Sequence, residues 1–332
     1  MPALTPQQTI KAITSALDES NASSVLLSQL QGNPRRFLVQ FGNSSFELWI
    51  YSWTLTHGGG LARPKNEYRI QLTGVQPPLQ LNPNGPTLLV GYEQNTQCFA
   101  GFDLSKHQSF STHSPSIQIP ITTLNDALQH GFSFVRKGND EIAIGIRPDQ
   151  FLAYCLNATI LHKEGADAQM VDLLTRASSL EIMSETEVSQ VSPERERILR
   201  EVSKLSRDSS FRRKILLAYD HRCAVTRIQL RLIDAAHILP VGVEGSTDEV
   251  TNGICLSPTY HRAFDRSLIY LDESLQMQIN PAKEQELIAS GLDGGLVYFK
   301  TYLGMRIHLL ADQSWWPRLA YIREANKIRG IK

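Results

Sequence analysis

Between Cys223 and Asp265 the chain carries two histidines, an asparagine and several carboxylates at intervals that an apolar core does not need. The stretch reads CAVT, then DAAHILP, then NGICLSPTYHRAFD. His237 lies in a strand-like apolar run, Ile233 to Leu239. Asn252 follows an acidic, glycine-containing loop, and His261 comes after eight further residues. Asp265 stands four positions beyond His261, so on a helix the two share a face. Imidazole exchanges protons near neutral pH, so these residue types suit proton transfer.

Positioning them requires a rigid local scaffold. FRRKILLAYDHRC spaces Phe211, Ile215, Leu216 and Tyr219 as the buried face of a helix, with Arg212, Arg213 and Lys214 turned outward or toward a partner. After Asp265, SLIYLDESLQMQIN alternates as a hairpin does, Glu284–Ser290 suggests a helical turn, and TYLGMRIHLL a last strand. The tail WWPRLAYIREANKIR is amphipathic and reads as a terminal helix.

The 332 residues are enough for two domains. The net charge of zero argues against a wholly basic nucleic-acid binder. The charge is uneven, however. Residues 1–203 hold 15 Lys/Arg against 19 Asp/Glu, and residues 204–332 hold 18 against 14, a basic half that suits a polyanion. Four scattered cysteines form no CxxC pair and indicate neither a disulfide framework nor a four-thiolate zinc site. The N-terminus lacks the features of a signal peptide, and no apolar run is long enough to span a bilayer, so a cytoplasmic protein without membrane contact is expected.

The fold class expected is α+β. Residues 7–30 suggest a helix, a turn near Asp18 to Ser24, and a second short helix. From Arg36, short runs rich in β-branched and aromatic residues alternate with turn signals, which predicts a β-rich domain over 1–163 built on a curved sheet or half-barrel. Residues 164–203 turn polar and helix-favouring, the pattern of a helical interdomain linker, and 204–332 form the second domain. In the first domain TLTHGGGLARPKNEYR sets three glycines beside Arg63, Lys65 and Arg69. Such a loop either tracks phosphates or is an exposed hairpin tip.

The order strand–His–Ile–x–Pro, loop, Asn, then His at a helix start resembles the HNH nucleases, whose core is a ββα-metal finger. The resemblance covers about residues 205–280. It implies that His237 is the general base, that Asn252 fixes the loop and orients that base, and that His261 is a ligand to one divalent ion, Mg²⁺ or Mn²⁺. The chain departs from the family at two points. Ala236 stands where many members carry a metal ligand, so Asp234 or Asp265 must supply the second donor. Strand alternation turns Asp234 away from His237, while Asp265 shares a helical face with His261. Only Cys223 remains of two CxxC pairs, with Thr226, Ser257 and Tyr260 at the other positions, so no structural zinc is expected.

By the same resemblance the partner is double-stranded DNA, with Arg262 and Arg266 as further candidates for phosphate contact. A metal-dependent restriction endonuclease is implied, its β-rich domain reading a short sequence or a modified base. One finger cuts one strand, so a homodimer is expected. A mobile-element nicking nuclease and a degenerate DNA-binding regulator are the competing readings.

Overall fold

The structure, a computed structural model, describes residues 3–57, 64–111 and 115–331. It divides into two compact units, Met1–Ser209 and Ser210–Lys332. The fold is mixed, with a β-rich N-terminal region as expected.

In the first unit a capping box between Thr5 and Gln8 and a proline in the first turn start helix α1 (Pro6–Glu19). Strands β1 (Ser23–Leu26), β2 (Arg35–Phe41), β3 (Ser44–Thr54), β4 (Thr56–His57), β5 (Glu67–Gln71), β6 (Thr87–Tyr92) and β7 (Phe99–Phe102) follow. The short helix α2 (Leu104–His107), strand β8 (Ser116–Pro120), helix α3 (Ile121–His130), β9 (Phe132–Arg136) and β10 (Ile142–Ile146) complete the β-rich part. Seven strands form one sheet in the order β1-β2-β3-β6-β7-β10-β9, and β4-β5-β8 form a second. Among the described residues of this unit only the β3–β6 pairing is parallel.

Alternation along β3 explains why the large sheet has two apolar faces. Leu48 and Ile50 join a core with Ile13 and Leu17 of α1, whereas Tyr51 joins another core with Ile70, Ile117 and Ile119 of the small sheet. The sheet is thus covered on both sides. The second helix expected near residues 25–30 is instead β1, paired antiparallel with β2 from Ser23↔Gln40 to Leu26↔Phe37. A run of Val and Leu satisfies either element, and the available strand edge decided it.

Helices α4 (Phe151–Glu164), α5 (Ala168–Ser179), α6 (Glu185–Ser189) and α7 (Pro193–Ala218) follow. Residues 164–203, read as a connector, pack into the first unit. Met170, Leu173, Leu174, Ile198, Leu199 and Val202 lie in the same core as Ile13 and Phe37. Helix α7 is continuous through the boundary at 209/210, and Phe211, Ile215 and Leu216 at its end belong to the core of the second unit.

The second unit pairs β11 (Asp234–His237) with β12 (Gly253–Leu256) as a two-stranded ribbon, followed by α8 (Pro258–Asp265). Strands β13 (Ile269–Leu271) and β14 (Gln276–Ile279), helices α9 (Pro281–Ala289) and α10 (Leu296–Phe299), strand β15 (Met305–Arg306) and terminal helix α11 (Leu319–Ile328) complete it. Of the strand expected over TYLGMRIHLL, only Met305–Arg306 pairs, with β14. Among the described residues no helix is long and apolar enough to cross a membrane.

Candidate active site

Four-residue strands hold little by themselves, so the ribbon needs support from outside its own ladder. One support is Gly253, opposite His237 in the register. A Cβ there would collide with the Ile215 side chain of α7, so only glycine lets the ribbon lie this close to the helix. Asn252, fully buried, provides another. Its Oδ1 accepts from the Leu239 amide at 2.8 Å, and its Nδ2 donates to the Leu239 carbonyl at 3.1 Å, Ser246 Oγ at 3.2 Å and the Thr247 carbonyl at 2.9 Å. One carboxamide thus ties both ends of the loop between β11 and β12.

That loop delivers a residue the sequence reading passed over. Asp248 Oδ1 lies 3.0 Å from His237 Nε2. An ionised carboxylate only accepts, so Nε2–H donates. The neutral ring then keeps its lone pair on Nδ1. Phe211 stacks on the imidazole with ring centroids 3.6 Å apart and planes 11° from parallel, which restrains the ring plane. Phe211 was legible as a core position but not as the support of a particular side chain. Asp248 was one of several acids in a loop, and no spacing rule singles it out.

The other end of β11 meets α8. Asp234 Oδ2 lies 3.3 Å from His261 Nδ1, and Asp265 Oδ2 lies 3.4 Å from His261 Nε2. Both candidate carboxylates therefore reach His261, one on each ring nitrogen. Burial disfavours the charged ring, but the hydrogen bond His261 donates to Asp234 and the fields of Asp265 and Asp234 outweigh it, holding His261 above the ordinary histidine range. Arg212, expected to point outward or toward a partner, turns inward, donating to the Ile233 carbonyl at 3.0 Å and lying 3.9 Å from Asp234. Among the described residues no hydrogen bond or ion pair joins His237 to His261.

The donor set bears on the divalent ion that the resemblance implies. Among the described residues no three His, Cys, Asp or Glu side chains converge as ligands. Asp234 and Asp265 flank His261 from opposite ring nitrogens, which keeps them from sharing one ion with it. The residues present fit an ion held by one carboxylate and one imidazole, its remaining positions left to water and phosphate oxygens. Around the former cysteine positions the finger is apolar. Cys223, Cys255 and Tyr260 are buried in one core with Ile254, Leu256 and Phe264.

The candidate DNA contacts fall in two places. Arg63 lies outside the described residues, Lys65 is exposed, and Arg69 is half-buried on β5 opposite Thr56. Arg262 and Arg266 are exposed on α8, where they line a groove of about 810 Å³ with Leu287, Leu296 and Phe299.

Residues 223–272 match the family model described as HNH endonuclease, and residues 46–155 match the one described as methylase-associated X1. No curated protein matches the chain. Among solved structures a match is found to a modification dependent TagI restriction endonuclease, at 12% identity over 85% of this chain and 80% of that chain, with a TM-score of 0.27. A superposition this loose carries nothing about substrate. The endonuclease match spans the ribbon, the buried asparagine and the helix bearing His261, and the second unit of this chain accordingly contains an HNH nuclease domain.

Proposed function

We propose that the protein is a divalent-metal-dependent DNA endonuclease of a restriction system. The observation that carries this is the pairing of His237 with Asp248 in the segment matching the HNH family. His237 takes a proton from the attacking water at Nδ1, because Nε2–H is committed to Asp248. Asp248 steadies the imidazolium that forms, and Phe211 holds the ring in plane. Asn252 acts through the loop, fixing the segment from which Asp248 reaches the base.

Asp234 and His261 Nδ1 would hold the ion, with Asp265 accepting from the far ring nitrogen and orienting the imidazole. The bound ion supplies charge neutralisation at the scissile phosphate. This assigns Asp265 an orienting rather than a ligating part. Arg63, Lys65 and Arg69 in the first unit are the proposed phosphate contacts. The methylase-associated description of the N-terminal match supports a restriction role, with the β-rich unit as target reader. Cutting both strands with one finger per chain calls for a homodimer or two successive nicks.

The test incubates the full chain and His237→Ala with Mg²⁺ or Mn²⁺ and with unmodified, methylated and hydroxymethylated plasmids. Cutting by the wild type alone supports the reading, and the preferred plasmid identifies the target class. Failure to cut any plasmid, together with no metal binding, would sink it.

A further inference from the structure

In the second unit, residues 281–304 bury almost nothing. Helices α9 and α10 have no buried residue, although the segment carries Leu287, Ile288, Leu292, Leu296, Val297, Tyr298 and Phe299. Val297 and Tyr298 are each 83% exposed and Leu292 70%. An apolar helical face needs something to cover it, and a cluster of this kind on a soluble chain marks an interaction surface. The same face holds the groove of about 810 Å³ lined by Leu287, Leu296 and Phe299. A hollow and a protrusion therefore lie side by side.

Charge discriminates between kinds of partner. Lys283 pairs with Glu286 at 2.7 Å and Lys300 with Glu284 at 2.7 Å, so the segment's lysines are already neutralised. This is a poor surface for a phosphate backbone. The ionic groups of the groove wall without an ion pair among the described residues have both signs, with Arg262 and Arg266 on α8 and Asp293 before α10. A two-fold interface must be self-complementary, because each patch meets its own copy. This face has the required parts: an apolar protrusion, an apolar hollow, and unpaired charges of opposite sign.

We propose that the α9–α10 face is the homodimer interface, with Val297 and Tyr298 of each copy seated in the other's groove and Asp293 facing Arg262 or Arg266 across the axis. The proposal deepens the nuclease reading by naming how two fingers are brought together, but its test needs neither DNA nor metal. Sedimentation of the full chain over a concentration series is expected to show a monomer–dimer equilibrium. Tyr298→Asp, at an exposed position that leaves the fold intact, weakens dimerisation by about 30-fold or more. Asp293→Arg weakens it by about tenfold, and adding Arg262→Asp and Arg266→Asp restores it to within about threefold. A wild-type chain that stays monomeric overturns the proposal, as does a dimer indifferent to Tyr298→Asp. A dimer with neither plasmid cutting nor metal binding would remove the nuclease reading and leave the interface standing.

Discussion

Each unit carries a cluster of histidine and carboxylate, and the two clusters behave differently. In the first, Glu141 is fully buried between Lys137 Nζ at 2.6 Å and His107 Nε2 at 2.8 Å. Both carboxylate oxygens are taken, and the group is sealed from water. In the second, His261 sits between Asp234 and Asp265, and these side chains remain 26%, 35% and 60% exposed. Among the described residues one ring nitrogen of His237 has no hydrogen-bond partner, the other being paired with Asp248. The same residue types thus serve structure where the carboxylate is buried with both oxygens paired, and suit chemistry where the carboxylates stay partly exposed. Burial and satisfaction, rather than composition, separate the two.

The comparison breaks most directly at His237. His237→Ala is expected to lower plasmid cutting by about 10³-fold, within the range of a lost general base, while the melting temperature changes little. A comparable loss of fold stability, read by calorimetry, would make His237 a structural residue like those around Glu141.

The sealed cluster responds to acid instead. Burial alone raises the pKa of Glu141, but the hydrogen bonds from His107 and Lys137 and their charges overcome this, leaving it lowered to about 2. Because the folded value lies below the ordinary carboxylate range, the stabilisation is complete above pH 4.5. It is lost as pH falls from there through about 2. At neutral pH it amounts to about 3 kcal/mol. Thermal melts of wild type and Glu141→Gln should therefore differ at pH 7 and converge toward pH 2, whereas a constant gap would show that charge is not what the cluster contributes.

Asn252→Ala falls between the two classes. It leaves several loop groups without partners and is expected to cost about 2 kcal/mol in denaturant unfolding, with cutting reduced as Asp248 loses its fixed position. Asn252→Asp, which keeps the acceptor but sets an oxygen against the Leu239 and Thr247 carbonyls, should lose at least as much stability. The smallest effect is reserved for Asp265. If it orients His261 rather than binding the ion, Asp265→Asn weakens metal affinity by about tenfold, measured by Mn²⁺ titration, and Asp234→Asn by clearly more. The reverse order would move the ligand to Asp265.

Much of this was legible beforehand. Most strands from Arg35 to Ile146 announced themselves through β-branched and aromatic runs between turn signals, though Thr56–His57 and Ser116–Pro120 did not, and His261 and Asp265 were placed on one helical face. The losses have physical causes. Val25 and Leu26 satisfy a helix or a strand equally, and the edge of β2 settled the matter. The polar surface of residues 164–203 masked apolar positions that complete a distant core. Arg212 looked like one of three outward cations until its hydrogen bond to the Ile233 carbonyl turned it inward.

By itself the sequence determined which chemistry was at hand. His237, Asn252 and His261 stand in an order and at spacings that resemble one nuclease family, and Ala236 left a donor to be found. Only the tertiary structure decided which carboxylate attends which histidine. Asp248 reaches His237, while Asp234 and Asp265 divide the two nitrogens of His261. A hydrogen bond acts over about 3 Å, whereas the residues it joins here are as many as 27 positions apart. Chain spacing cannot specify such a contact; it exists because the buried Asn252 and the close approach at Gly253 fold the loop and ribbon onto their helices.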